Sequence, residues 1–390
     1  CSVRRQRQMC IRDSSSAGEA AKYLRALCGP YKVPEVMIET WADEMCRNND
    51  WLASLGGDPQ EHQFQPVGIE FPDLPGAFST HKFHDGDVYG YSLTWKRFES
   101  FVLERPIRVE YETPGRELIQ NGETGEILGL WAERDGKRIA VKARKGVVLT
   151  CGGFENNQEM IRNYLPGMPY CYTSGSPFNE GDGITMALSV GADLWHMNNF
   201  AGPSMAMKVP DVPTSMSMQA LHYSKIIPGG MIVVGPDGKR FCDEKYKTRH
   251  GKVEKNGTWM PLITPCPMFL IIDQKQFDAG PLYDGYPSHG WTQIVEQPDW
   301  SEDNSAELAK GWIKKGATLA ELAGTIGLDG AELAATVQRW NGFAEAGEDL
   351  DFGRTLMLEA MGEGPYYAVE LSPSMLNTQG GPRRNEHAQI

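Results

Sequence analysis

The stretch from Gly146 to Ala192 constrains the fold of this chain most. It starts with the apolar run GVVLT, breaks into CGGFEN, and continues through NEGDGITMALSVGA. A short β-branched run that ends in glycines is typical of a buried strand, and bare glycines let a ligand approach the backbone. Asp182 can cap the following helix, whose first amides suit a phosphate or a polyol. The stretch therefore predicts either a nucleotide-type site at Gly152 and Gly153 or an ordinary strand, turn and helix.

Composition narrows the class of protein. The 390 residues are 41% hydrophobic and 23% charged, as in a globular protein with a large core. The sequence has no apolar run near the roughly 20 residues that a membrane helix needs. A net charge of -13 argues against a nucleic-acid partner. We therefore expect neither a nucleic-acid partner nor a membrane segment.

The eight cysteines are dispersed and form no CxxC pair. This spacing supports neither a zinc site nor an iron–sulfur cluster, so no metal site is predicted. The thiols are expected to be free, as in a reducing compartment. Cys151 and Cys242 are expected to be small, buried hydrophobic side chains.

The first fourteen residues are expected to lie outside the fold. The run from Arg4 to Ser14, RRQRQMCIRDS, resembles the in-frame translation of a transposase adapter used for sequencing libraries. A basic arm and a targeting peptide are the alternatives, but the run lacks the ~7 to 15 apolar residues of a signal peptide. We assign residues 1–14 to an adapter-derived segment.

Periodic patterns predict the elements that follow. Helices are expected over Glu19–Leu27, over Pro34–Leu55 and up to Leu103. A meander of three to four strands, with hairpin turns at Asn121-Gly122 and Asp135-Gly136, is expected over Ile107–Tyr111, Gly115–Gln120, Ile127–Glu133 and Lys137–Lys142.

After Met197 the alternation of strands and helices is lost and the sequence is rich in methionine. These side chains either fill an irregular core or line a pocket for a bulky apolar ligand, and core packing is the favoured interpretation. The four methionines concerned are Met205, Met207, Met216 and Met218.

Several motifs together resemble one family. They are KGVVLTCGGFENNQEMIRNYLP, NEGDGITMALSVGADL, MIVVGPDGKRFCDE, the long run from WIKKGATLAELAG to LDFGR, and NTQGGPRRNEHAQI. In this order they resemble the flavoprotein subunits of succinate dehydrogenase and fumarate reductase, and the related 3-ketosteroid dehydrogenases. The resemblance covers the chain from about residue 19 to its end.

The resemblance implies an α/β fold with a Rossmann-like FAD-binding domain and an inserted α+β capping domain. The implied boundaries are residues 15–196 for a partial FAD-binding domain, 197–354 for the capping domain, and 355–390 for the return to the first domain. FAD is the implied cofactor. The implied contacts are Thr113, Thr150, Gly152, Gly153, Asp182, Gly380 and Gly381.

The family's GxGxxG turn, which admits the flavin pyrophosphate, is not found in this sequence. The chain also stops at Ile390, where the family continues into a strand and a glycine-rich turn under the flavin. The FAD-binding domain is therefore expected to be incomplete. We expect the 390-residue chain alone not to retain FAD and to be inactive.

The implied chemistry is the transfer of two hydrogens across a C–C bond next to a carbonyl. The flavin exchanges the hydride, while a protein group handles the proton and donors polarise the carbonyl. An enone, a 3-ketosteroid-like compound or an unsaturated acid would be the substrate. The sequence predicts neither the direction of the reaction nor the electron donor or acceptor, and the expected location is cytoplasmic.

The sequence departs from the fumarate enzymes at three places. Gly202-Pro203-Ser204 replaces a His-Pro-Thr turn, Asn377 replaces a second histidine, and no arginine follows the strand in Ile272–Phe277. A C4-dicarboxylate needs two cationic groups to hold it. A dicarboxylate substrate is therefore disfavoured, although an acid reductase whose clamps have moved remains an alternative, as does a non-catalytic flavoprotein fragment.

Four residues are the catalytic candidates. Arg384 would bind a substrate carbonyl or carboxylate or the flavin's N1–C2 carbonyl, or else lie on the surface. Tyr246 would give or take a proton, or else be solvated. Glu244 and Arg249 would form a proton relay or an exposed ion pair. His196 and His250 are expected to be structural.

Overall fold

A computed structural model describes residues 17–61, 71, 73–77, 83–85, 93–202, 204–222, 225–245, 251–255, 258–283 and 298–390. The predicted adapter segment, residues 86–92 before the helix predicted up to Leu103, and Tyr246, Arg249 and His250 lie outside the described residues. The chain divides into two compact units. The first combines Cys1–Val147, Met186–Asp193 and Pro382–Ile390, and the second combines Val148–Thr185 and Leu194–Gly381. The domain boundaries implied by the resemblance stay a prediction.

The first unit begins with helices. These are α1 (Ala17–Cys28), α2 (Glu35–Met45), α3 (Asn48–Ser54) and α4 (Leu93–Leu103), with a short pair of strands, β1 (Pro59–Glu61) and β2 (Phe83–Asp85), before α4. Buried alanines of α1 pack against Ile38 and Ala42 of α2. One helix was predicted over Pro34–Leu55, but it is two. The amide of Arg47 bonds the carbonyl of Glu44 in a tighter turn between them.

The predicted meander is present with three strands. They are β3 (Gly115–Gln120), β4 (Ile127–Arg134) and β5 (Lys137–Lys142), all antiparallel. Asp135 and Gly136 both have positive φ, 51° and 70°, which is the geometry of a tight hairpin turn that matches strand twist. A strand at Ile107–Tyr111 was predicted and is wrong, because among the described residues this run pairs with no strand.

The second unit is built on a seven-stranded sheet. Its elements in chain order are α5 (Gln158–Tyr164), β6 (Tyr172–Thr173), α6 (Asp182–Ser189, which continues into the first unit), β7 (Leu194–Trp195), β8 (Phe200–Ala201), β9 (Ser204–Lys208), β10 (Ser215–Met216), β11 (Met231–Val234), β12 (Lys252–Lys255), β13 (Thr258–Pro261), β14 (Met268–Asp273), α7 (Gln274–Phe277), α8 (Ser305–Ala309), β15 (Ile313–Gly316), α9 (Leu319–Ile326), α10 (Gly330–Ala346), β16 (Tyr366–Met375), β17 (Asn377–Thr378) and β18 (Gly381–Pro382, which also reaches the first unit).

Strand β16 is the centre of this sheet and changes partners along its length. Its first part pairs with β14 and β15, where Val369 is opposite Leu270 on one side and Ile313 on the other. Its second part pairs antiparallel with β9 and parallel with β6. Strands β10 and β11 complete the two ends of the sheet.

Alternation along β14 fills two cores. Met268, Leu270 and Ile272 join a cluster with the four methionines, which are at most 6% exposed, so the prediction of core packing is confirmed. Phe269 and Ile271 point to the other face, under α9 and α10, where Trp340 is fully buried.

Two helices, α9 and α10, follow Thr318. The Thr318 hydroxyl accepts a hydrogen bond from the amide of Glu321 and caps α9, and the Asp329 carboxylate caps α10. Gly327 and Gly347 end these helices with φ near +76° and +73°. After β11 the chain turns back on itself, and a bridge between Val234 and Arg240 closes this turn.

Candidate cofactor site

The run before the two adjacent glycines is not a strand. The prediction of a buried strand at Gly146–Thr150 is wrong, since no described residue pairs with it and Val148 is 84% exposed. A β-branched run favours extended backbone, but a strand also needs a neighbour to take its N–H and C=O groups.

The glycine turn, residues 151–156, is shaped by close backbone packing. Gly152 has φ of +74°, and a Cβ there would clash with the side chain of Asn179. A Cβ on Gly153 would clash with the Thr378 hydroxyl, and the Gly153 carbonyl accepts a 2.9 Å hydrogen bond from Gly181. Only glycine satisfies these positions without a shift of their neighbours.

The buried carboxylate of Glu155 holds the glycine turn in place through hydrogen bonds on the buried side of the turn. Glu155 is fully buried, and its Oε1 accepts a 2.5 Å hydrogen bond from Asn179 Nδ2. Its Oε2 accepts from the Thr378 amide at 3.3 Å and from the Thr378 hydroxyl at 3.2 Å. The same hydroxyl accepts a 2.9 Å hydrogen bond from the Phe154 amide. The buried acid thus has three donors, as a buried charge requires.

Glu155 and Thr378 were not among the site residues predicted from the sequence. The available signal was an acid placed directly after Gly-Gly-Phe, where an apolar residue would be expected for a buried position. Their pairing joins two segments that are 223 residues apart. It brings the segment that contains Gly380 to the glycine turn.

The other side of the turn is open. Thr150, Cys151 and Gly152 are exposed, as is Asp182 at the start of α6. Asp182 is the first residue of that helix and not its cap, because the amide of Thr185 already bonds Gly181. A carboxylate in this first turn is favoured by the helix dipole. Cys151 was predicted to be buried, which is wrong, whereas Cys242 is 6% exposed as predicted.

The predicted Gly380 and Gly381 lie in a second glycine segment of the same unit. A Cβ on Gly380 would clash with the backbone of Met197, whereas a Cβ on Gly381 would meet nothing within 4 Å. Gln379 and Asn199 join this segment to the chain at β8 through a backbone hydrogen bond of 2.9 Å and a side-chain one of 2.7 Å. Gly380 therefore also needs its bare Cα.

Two predicted residues belong to the first unit. Thr113 lies just before β3, half-buried, and its hydroxyl donates to the carbonyl of Tyr111 at 2.8 Å. Arg384 is exposed, and the preceding Arg383 is fixed by a 2.7 Å hydrogen bond from its amide to the carbonyl of Asp193. Their assignments to cofactor and substrate stay predictions.

Glu244 lies in a buried ionic cluster. Its carboxylate accepts hydrogen bonds from Arg240 at 2.7 and 2.8 Å and from Arg354 at 3.2 Å. Arg240 also bonds Asp349 at 2.9 and 3.1 Å, and the Trp340 ring lies about 4.5 Å from both guanidinium carbons. The alternative of an exposed ion pair at Glu244 is thus wrong.

The ionic cluster gives Glu244 a structural role. The catalytic role of Glu244 stays a prediction. Arg240 and Glu244 are only four residues apart, but Asp349 is 109 residues from Arg240 and Arg354 is 110 residues from Glu244, so the cluster as a whole was missed. Next to the cluster, burial raises the pKa of Asp243 to about 6. Within the described ranges, no three acidic, histidine or cysteine side chains are grouped as a metal site. Nor does any described helix combine the length and apolar character needed to cross a bilayer.

Comparisons with known proteins agree with this geometry. The chain matches the family model for an FAD binding domain over residues 6–390. It is 33% identical over 270 residues to a 3-oxosteroid 1-dehydrogenase of Mycobacterium tuberculosis, which covers 62% of this chain and 44% of that protein. It is 28% identical over 358 residues to a probable fumarate reductase, Ifc3, of Shewanella frigidimarina, which covers 91% and 53%. The chain thus spans about half the length of these relatives.

Solved structures show the fold. A 3-ketosteroid Δ1-dehydrogenase from Sterolibacterium denitrificans, in complex with 1,4-androstadiene-3,17-dione, matches with a TM-score of 0.71 at 22% identity, covering 96% of this chain and 80% of that one. A flavocytochrome c3 fumarate reductase in an open conformation matches with a TM-score of 0.59 at 22% identity, covering 95% and 58%. The predicted α/β FAD-binding fold with a capping domain is confirmed.

The described residues fit the cofactor of this fold. The glycines at 152, 153 and 380 leave no room for side chains, while Thr150 and Asp182 offer exposed polar groups beside an exposed backbone. The chain belongs to the FAD binding domain family, which it shares with fumarate reductases and 3-oxosteroid dehydrogenases and whose cofactor is FAD.

Proposed function

We propose that the protein containing this chain is an FAD-dependent oxidoreductase that adds or removes two hydrogens across a C–C bond next to a carbonyl. The glycine turn is the observation that carries this proposal. Its glycines are closed to side chains, its buried face is fixed by Glu155, and its exposed rim carries Thr150 and Asp182. Such a rigid, glycine-lined rim suits the polar part of a dinucleotide.

Asp182 is assigned to bind hydroxyl groups of the cofactor, because a carboxylate accepts strong, charge-assisted hydrogen bonds from a polyol. Thr150, Gly152 and Gly153 support the adenosine side through backbone contacts, with Thr113 beside the adenine. Gly380 and Gly381 allow the flavin side to approach the chain. When bound, FAD supplies hydride exchange with carbon.

The remaining steps belong to side chains of the chain. Arg384 polarises the substrate carbonyl, since an exposed guanidinium can donate two parallel hydrogen bonds to oxygen. Tyr246 or Arg249 moves the proton at the carbon next to the one that exchanges hydride. Glu244 is not needed for this step, because the ionic cluster already occupies its carboxylate.

A ketone or enone, such as a 3-ketosteroid, is the proposed substrate class. Two positions that hold a dicarboxylate in the fumarate enzymes are poorly suited to do so. Gly202, in the place of the first histidine, has no side chain, and the side-chain amide of Asn377 donates to the Thr378 carbonyl at 3.1 Å. An unsaturated acid is the second candidate, supported by the 28% identity to the Shewanella fumarate reductase. A cytoplasmic location and the absence of a nucleic-acid partner also stay proposals.

Turnover assays on the protein expressed from its complete reading frame test this proposal. The substrates are 4-androstene-3,17-dione with a dye as electron acceptor, and fumarate or acrylate with reduced viologen as donor. We expect flavin absorbance and turnover of the ketone. Arg384→Met should lower kcat/KM at least tenfold, whereas the matched Arg383→Met should not. Flavin-containing protein that turns over none of these substrates would contradict the proposed reaction.

A further inference from the structure

A cleft of about 460 Å³ lies beside β16, where this strand changes partners from β15 to β9. Its volume is within the range of sites that bind small molecules. Its lining comes from the segments at 170–172, 207–210, 311–314, 325–326 and 370–372, together with Phe269. It shares no residue with the glycine turn or the ionic cluster.

The floor and walls of the cleft are apolar and aromatic. Met207, Phe269 and Leu371 line it and are at most 5% exposed. Tyr170 and Tyr172 stand next to each other with ring centroids 5.8 Å apart, and Trp312 also lines the cleft. Such walls bind flat apolar bodies through their ring faces and edges.

The charged side chains of the cleft are Lys208, Lys314 and Glu370, so its lining is positive by one charge in a chain whose net charge is -13. The Lys208 amine already donates to the carbonyls of Val209 and Val212, and it lies 5.3 Å from the centre of the Tyr172 ring. The Lys208 amine is therefore a positive charge held in place in the wall of the cleft.

Lys314 differs from Lys208. Within the described part of the chain its amine makes no ion pair, and it lies close to Gly311, where an added Cβ would be 3.5 Å from Nζ. Gly311 also lines the cleft, so the amine is at its mouth. A cation without a partner beside aromatic walls favours an anionic group on a bound ligand.

We propose that this cleft binds a small anionic ligand with a flat apolar body, whose carboxylate pairs with Lys314 while the body lies against Tyr170, Tyr172 and Trp312. Glu370 disfavours ligands with two or more acidic groups by like-charge repulsion. The inference is independent of the proposed redox function, because no residue of the glycine turn takes part.

Fluorescence anisotropy of 1-pyrenebutyrate with the 390-residue chain tests the inference, with the neutral amide of the same probe as the ligand control. Lys314→Met should weaken binding of the acid about two- to fivefold and leave the amide unchanged. The matched variant is Lys315→Met. This next residue of β15 points to the other face, with its amine 5.4 Å from the ring centre of Tyr367.

Two further measurements complete the test. Thr325→Trp, at an exposed position of α9 that lines the cleft, should weaken saturable binding by occupying part of the cleft, with circular dichroism as the check on folding. Raising the salt concentration from about 50 mM to about 500 mM should weaken binding of the acid more than of the amide. No saturable binding, equal affinities for acid and amide, equal effects of the two lysine variants, or full binding by folded Thr325→Trp would each overturn the inference.

Discussion

The substitution Thr378→Val tests the anchor of the glycine turn. Valine has nearly the shape of threonine, so the change removes the hydroxyl and little else. That hydroxyl accepts from the Phe154 amide at 2.9 Å and donates to Glu155 at 3.2 Å. Thr378 is 6% exposed, so water does not readily replace either bond.

The expected loss of folding stability follows from these two hydrogen bonds. The Phe154 amide is left buried without an acceptor, which costs about 1–3 kcal/mol. Glu155 loses one of three donors but keeps the Thr378 amide and Asn179. A total near 2 kcal/mol is expected, which changes the unfolding equilibrium by about 30-fold. Thr378→Ser keeps the hydroxyl and should cost no more than the ~0.8 kcal/mol of one buried methyl group.

Urea unfolding followed by circular dichroism measures the stability of both variants. The values can be compared if the slope of the free energy of unfolding against urea concentration is unchanged. Hydrogen exchange of the peptide that contains Phe154 reports the same bond locally. We expect faster exchange there in Thr378→Val and wild-type exchange in Thr378→Ser. If the two variants are equally stable within about 0.5 kcal/mol, the reasoning about the anchor is refuted.

Two further predictions concern the ionic cluster and its neighbour. Arg354→Met leaves Glu244 with one cationic partner, so the free energy of unfolding should fall by about 3–5 kcal/mol. Lys239→Met, at an exposed position, should change the free energy of unfolding little. Equal effects of the two variants in urea titrations would refute this prediction. Burial raises the pKa of Asp243 in the folded chain to about 6, so the protonated form stabilises the fold. The stability that this group contributes is therefore present below pH 4 and is lost as the pH rises through 6. Asp243→Asn should remove this pH dependence from the free energy of unfolding measured between pH 4 and 7. An unchanged pH dependence in the variant would contradict the prediction.

Local sequence signals predicted the parts of the fold that depend on neighbouring residues. The Asp135-Gly136 turn depends on bonds within a few residues, so its position could be derived directly. The strand at Gly146–Thr150 failed for the opposite reason. Its β-branched residues favour extended backbone, but whether they join a sheet depends on a distant partner. The exposure of Cys151 follows from the same missing neighbour.

The glycines of the candidate site were predicted from the sequence, but the residues that hold the glycine turn in place were not. Bare glycines beside an acidic helix start form a recognisable pattern, whereas Glu155 and Thr378 meet from positions 223 residues apart. Arg240 and Asp349 in the ionic cluster are likewise 109 residues apart. Long-range pairing of polar residues leaves no periodic pattern in the sequence. The expectation that the chain alone does not retain FAD stays a prediction.

The affinity for FAD of the Asp182→Asn variant shows whether the exposed rim of the glycine turn and the start of α6 bind the cofactor. In protein from the complete reading frame, Asp182→Asn should weaken FAD binding about 10- to 100-fold, the loss of a hydrogen bond to a charged group. Glu159→Gln, an exposed acid in the first turn of α5, should bind FAD like the wild type. Wild-type affinity in Asp182→Asn, or an equal loss in both variants, would contradict cofactor binding there.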